Sequence, residues 1–188
     1  LFLTLPVLWI KSINDYIGLE EQIIRAAPAI YGSLLIILML LFRRLIKAPG
    51  IAAAAALMAL SPMHVYYSKY YIMEIPMLVL LMLFLFFSWK YLELQKLRWM
   101  IGAGFVCGAM HATKETFIIS VAALVIAATV VFIYEEINKS TKARLKLKDL
   151  IKNFSIGFIL MALVSAALYS IFFDNLTAIK ESYTSYLN

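Results

Sequence analysis

The stretch SPMHVYYSKYYIMEIPML, residues 61–78, sets a histidine, four tyrosines, a lysine and a glutamate between two apolar runs. Such a concentration of polar groups suits a phosphorylated or hydroxylated ligand. Lys69 offers an ammonium, which binds phosphate as a point charge. Glu74 stands just before Pro76 at an expected helix start, where the helix dipole favours a carboxylate. It suits a sugar hydroxyl or a lysine partner. A structural reading stands beside this one. Tyr66, Tyr67, Tyr70 and Tyr71 fit an aromatic belt at a membrane boundary, and Lys69 fits a lysine that snorkels toward water.

HATKET, residues 111–116, forms a second cluster. His111 and Glu115 are four apart and share a face if the helix continues. Lys114 and Glu115 are candidates for a charged wall, or for a local ion pair that ends a short span. His64 and His111, with Glu74 and Glu115, supply the donor types of a two-histidine–carboxylate metal site. Their spacing matches no dedicated metal motif, so no metal or cofactor is assigned. A third polar segment, NDYIGLEEQIIR, contains Asp15, Glu20, Glu21 and Arg25.

The elements that position these groups are apolar. Hydrophobic residues make up 64% of 188, and mean hydropathy is +0.89, which implies a polytopic membrane protein. The expected architecture is an all-α transmembrane bundle. Spans are expected at 24–46, 51–67, 76–89, 99–112, 116–135 and 155–173, with APG at 48–50 breaking the first from the second. Residues 138–153 read as a basic loop and 174–188 as the start of an outer segment. Residues 1–13 fit a truncated span or an interfacial helix, the latter favoured by Pro6 and Lys11. The chain starts without Met and reads as part of a longer protein.

Charge location sets an expected orientation. Of 17 Lys and Arg residues, twelve fall at 43–47, 90–98 and 139–152 and five at the alternate ends. The richer side is expected in the cytoplasm. That places the His64, His111 and Arg25 segments on the outer face of a plasma membrane. A net charge of +6 then reads as topogenic and lipid-directed rather than as a nucleic-acid surface. Cys107 is the single cysteine, so no intrachain disulfide forms. Gly104 and Gly108 have small-xxx-small spacing, which brings helices close. No phosphate-binding glycine loop or nucleophile elbow occurs. Sequons at Asn138, Asn153 and Asn175 are weak signals, the first two on the expected inner side.

The three polar segments resemble a known family. GLEEQIIRAAPAIYG is similar to the G-x-x-E-x-x-x-R-x-x-P-A-x-x-G pattern of polyprenyl-phosphate-sugar-dependent membrane glycosyltransferases of the GT-C fold. ALSPMHVYYSKYYIMEIPML resembles their S-P-x-x-x-x-Y-S-R-x-x-x-x-E/D segment. GAMHATKETFII resembles a T-K-E-T segment of the branch associated with flippase activity. Protein O-mannosyltransferases and the aminoarabinose transferases of lipid A belong to the same group. The resemblance covers about residues 25–120.

It implies an inverting transferase that moves a sugar from a polyprenyl monophosphate to a glycan or protein acceptor outside the membrane. Fixed cations stabilise the departing phosphate, and an aspartate or glutamate of the first outer loop acts as general base on the acceptor hydroxyl. Lys69 replaces the family arginine, keeping the charge and losing the bidentate fork. The expected donor-binding residues are Lys69 and Glu74, then Lys114 and Glu115, then Arg25, with Tyr67 beside Lys69. The catalytic acid is expected before Leu1 and is not assigned, so the fragment alone is expected to be inactive. The alternative is a lipid-linked-sugar translocator or transporter subunit using the same headgroup contacts without chemistry.

Overall fold

The computed structural model describes residues 21–70, 72–114, 116–137 and 147–170, and among these the regular structure is entirely helical. In chain order the helices are α1 (Glu21–Leu38), α2 (Ala48–Leu60), α3 (Pro62–Tyr67), α4 (Glu74–Leu94), α5 (Leu97–Thr113), α6 (Phe117–Ile137) and α7 (Leu147–Tyr169). Residues 1–13, Asp15, Glu20, Tyr71, Glu115, the segment 138–146 and the segment 174–188 lie outside the described residues. Two compact units divide the chain, Leu1–Phe86 and Phe87–Asn188, with the boundary inside α4.

By length and composition, Arg25–Phe42, Glu74–Leu94 and Lys152–Tyr169 are long and apolar enough to cross a membrane. Ala48–Leu60 and Phe117–Val131 are shorter apolar helices. This is a membrane helix protein. Its apolar surface faces outward: Leu57, Leu60, Ile119 and Ile126 are all well exposed, as lipid-facing residues are.

Two expected boundaries are corrected. Residues 51–67 do not form one helix, because the chain breaks at Ser61 between α2 and α3. Pro62 explains the break. Proline pushes the residue before it out of the helical region, and Ser61 is extended, with φ −63° and ψ 121°. The Ser61 hydroxyl then accepts from His64 N–H at 3.5 Å, so α3 starts with its own cap. APG at 48–50 opens α2 rather than separating it from α1, since proline fits the first helical turn. The break falls instead at residues 43–46, after a 3-10 turn over Met39–Phe42.

The second correction concerns 138–153. Helix α7 begins at Leu147, inside the segment expected as a basic loop. Apolar residues at 147, 150, 151 and 154 follow the i, i+3, i+4, i+7 rule of an amphipathic helix. The lysines between them masked that period.

In the unit Leu1–Phe86, α1 carries the packing. Ala27 and Leu35 are buried, and the Phe86 ring meets Phe42 edge-on at 6.0 Å. In the unit Phe87–Asn188, α5 and α7 form a close seam. A Cβ on Gly104 would strike the carbonyl oxygen of Gly157, and one on Gly108 would lie 2.6 Å from that of Met161. The small-xxx-small spacing therefore has a physical role: it lets two backbones touch. The paired positions 104 with 157, 108 with 161 and 111 with 165 rise together, so α5 and α7 run parallel. Between them, α6 supplies 21 residues, about 31 Å of helix.

Helices α4 and α5 are joined tightly. Gln95 takes a left-handed conformation with φ 52°, and its N–H bonds to Tyr91 O at 2.8 Å. Phe87 and Trp99 stack across this corner at 6.0 Å. Among the described residues of the segments expected inside, Lys47, Lys96 and Lys152 are exposed, but Lys90 is buried. It pairs with Glu93 at 2.5 Å and covers the Trp89 ring at 4.2 Å.

Candidate functional site

Lys69 sits in the turn that follows α3, with its backbone N–H bonded to Tyr66 O at 3.0 Å. Its side chain is exposed, and among the described residues no acidic group pairs with it. The neighbouring Tyr67 is half-buried. Tyr66 packs edge-on against Tyr67 at 5.5 Å and lies 4.5 Å from Tyr70. The turn therefore carries clustered tyrosine rings beside an exposed lysine.

What fixes this turn is a contact with α1. The His64 ring nitrogen Nε2 lies 3.2 Å from Gly32 O. Since a carbonyl only accepts, Nε2–H is the donor. The Ser68 hydroxyl donates to His64 O at 2.7 Å, and Ser68 N–H donates to the same oxygen at 3.0 Å. Ser68 lies against Gly32 so closely that a Cβ on Gly32 would collide with the serine Cβ and Oγ. Gly32 ends the first segment of the family-like pattern, and Ser68 lies in the second. The structure brings these two segments together at one point.

Arg25 is exposed on α1, seven residues before Gly32. That spacing puts both on one helix face, separated by about 10 Å along the axis. Glu74 opens α4; it is half-buried, and its Oε2 is shielded from solvent. A carboxylate in a first helical turn is favoured by the dipole. Lys69, Tyr67, Glu74 and Arg25 thus all belong to the first unit.

Lys114 lies in the second unit and ends α5. Its N–H bonds to Met110 O at 3.3 Å, and its carbonyl accepts from Phe117 N–H at 3.1 Å. One residue thereby links the end of α5 to the start of α6. Glu115 lies outside the described residues.

His111 lies in the last turn of α5, which stops at Thr113, two residues before position 115. The ring is buried. Its Nδ1 lies 2.6 Å from Ser165 Oγ, and Tyr169 OH donates to His111 O at 3.1 Å. Phe117 and Tyr169 meet the ring edge-on at 5.4 Å and 5.5 Å. Both histidines thus engage helices of their own units, His64 with α1 and His111 with α7. No group of three or more His, Cys, Asp or Glu that could hold a metal ion occurs among the described residues.

The sequence profile of the dolichyl-phosphate-mannose-protein mannosyltransferase family matches residues 5–169. The chain belongs to this family of membrane glycosyltransferases. The match spans α1 to the last turn of α7 and includes both lysine-bearing turns. No curated protein matches the chain, and no solved structure does.

Sequence reasoning weighed His64 only as a metal candidate and missed its bond to Gly32. The available signal was the glycine at the end of the α1 segment, which demands a close neighbour when it lies within a helix. Ser165 and Tyr169 carried no signal, since a serine and a tyrosine within an apolar run are ordinary residues of a membrane helix.

Proposed function

We propose that the protein transfers a sugar from a polyprenyl-phosphate carrier to a glycan or protein acceptor at the outer face of the plasma membrane, with inversion at the anomeric carbon. The exposed Lys69 ammonium, on a turn where two family-like segments meet, is the observation that carries this reading. Charge accumulates on the carrier phosphate as the glycosidic bond breaks. A fixed cation at that point stabilises the step. Lys69 takes this role, and Glu74 orients the phosphate or a sugar hydroxyl. Tyr67 supports the turn, while Lys114, Glu115 and Arg25 are further donor-binding candidates. The TKET segment favours the branch associated with flippase activity.

The test uses the full-length protein in native membranes with dolichyl-phosphate-mannose as donor. Lys69→Ala and Glu74→Gln are each expected to lower transfer by roughly tenfold or more, the scale of a lost charge-assisted hydrogen bond. Insertion and expression are expected to stay normal. Wild-type transfer in both variants sinks the site assignment. Carrier binding with no transfer by the unaltered protein favours a translocator instead.

A further inference from the structure

We propose that His64 is a positioning residue for Lys69, acting through its bond to the Gly32 carbonyl; this rests on the phosphate role of Lys69 proposed above. The two residues are five apart, and the bonds of His64 run to Ser61, Ser68 and Gly32. Its effect is conformational. The bonds converge on His64 from three directions. Its N–H reaches the Ser61 hydroxyl, its carbonyl takes two bonds from Ser68, and its ring reaches across to α1.

The ring bond is the only one of these that leaves the local chain. The Ser61 and Ser68 contacts shape the short helix and its following turn, but they do not say where that turn lies. The bond of Nε2 to Gly32 O, with Ser68 seated where Gly32 has no side chain, ties it to a helix 32 residues earlier. Ser68 directly precedes Lys69, so the anchor lies one residue from the backbone that carries the ammonium. A long lysine side chain contributes most to binding when its root is fixed, because less conformational freedom is lost on contact.

The role makes a demand on reach rather than polarity. A glutamine amide nitrogen occupies about the place of Nε2, whereas an asparagine amide is shorter by one carbon–carbon bond, about 1.5 Å. His64→Gln and His64→Asn are therefore matched in chemistry and differ in whether they touch Gly32 O. The probe is a synthetic polyprenyl monophosphate, titrated against the full chain in nanodiscs and read by native mass spectrometry. His64→Gln is expected to bind within about twofold of wild type, and His64→Asn about fivefold more weakly, the scale of one net hydrogen bond. In a Lys69→Ala background the same two substitutions are expected to have no further effect, because His64 acts through that lysine.

The arms separate two failures. If Lys69→Ala binds as wild type, the phosphate reading of Lys69 is wrong. If Lys69→Ala loses binding while the glutamine and asparagine variants behave alike, whether both bind or both fail, the positioning role is wrong and the Lys69 reading stands. An asparagine defect that persists undiminished without Lys69 also overturns it.

Discussion

His64 Nε2 lies 3.2 Å from the carbonyl oxygen of Gly32, and the absent side chain of Gly32 leaves room for Ser68 beside that bond. Ser68 fills the space a methyl group would take. Gly32→Ala is therefore expected to push the Ser68 turn away from α1. Overpacking of this kind costs about 1–3 kcal/mol, against about 1 kcal/mol gained by replacing glycine within a helix. Thermal unfolding in detergent is expected to show a net loss, together with weaker polyprenyl-phosphate binding. A variant as stable as wild type would mean that the turn is not held there.

Lys69 is the cation of the proposed site. Arginine keeps the positive charge and adds a planar fork suited to phosphate. Lys69→Arg is expected to retain or improve carrier binding, while Lys69→Glu abolishes it. Titration with a polyprenyl monophosphate decides this. If Lys69→Arg behaves like Lys69→Glu, the site reads shape rather than charge.

The helix glycines of the second unit differ in what they face. Gly104 meets the Gly157 backbone, which cannot move aside, whereas Gly102 meets the ring of Phe87, which can turn. Gly104→Ala is expected to lose about 1–3 kcal/mol by overpacking. Gly102→Ala is expected to be near neutral, since the gain in helix propensity offsets a small ring shift. Melting temperatures of the two variants, measured side by side, test the order.

The buried pair of His111 and Ser165 makes an asymmetric prediction. His111→Phe keeps the ring packing against Phe117 and Tyr169 and removes the bond to Ser165 Oγ. A buried hydroxyl left without its partner costs about 1–3 kcal/mol. Adding Ser165→Ala removes the orphaned group, so the double variant is expected to be more stable than His111→Phe alone. Equal stability would show that the serine finds another acceptor on its own helix.

Orientation is open to direct labelling. With Cys107 replaced by serine, Lys69→Cys is expected to react with a membrane-impermeant maleimide added to intact cells, and Arg44→Cys only after permeabilisation. Both positions are exposed in the fold. The reverse pattern would move the proposed site to the cytoplasmic face.

The all-helical membrane class was legible from the apolar runs alone, because length and composition of a membrane helix are set by the bilayer. Helix ends were less legible. At Ser61 the run of alanines and leucines hid a proline break. At Leu147 the neighbouring lysines hid an amphipathic period. The candidate site was half legible. Lys69 and Glu74 stood out as ionisable groups among apolar neighbours, whereas the anchor at Gly32 is a relation between residues far apart in the chain. His111 and Ser165 are farther apart still, by 54 residues, and only the packed α5–α7 seam reveals that pair.

That seam also carries two kinds of information. Its glycine contacts recur every four residues, at 104 with 157 and at 108 with 161. A pattern that repeats each turn fits nearly as well after one helix slides by a turn, placing Gly108 beside Gly157. The bond of His111 to Ser165 has no such repeat. It exists in one alignment and is broken in every other, much as a single polar residue fixes the register of a coiled coil. Close backbone contact thus holds the two helices together, and one imidazole decides which turn faces which. Because His111 lies three residues before Lys114, a slip by a single turn would carry that lysine about 5.4 Å along the α7 axis. The seam is therefore a length standard for the Lys114 end of its unit as well as a support for it.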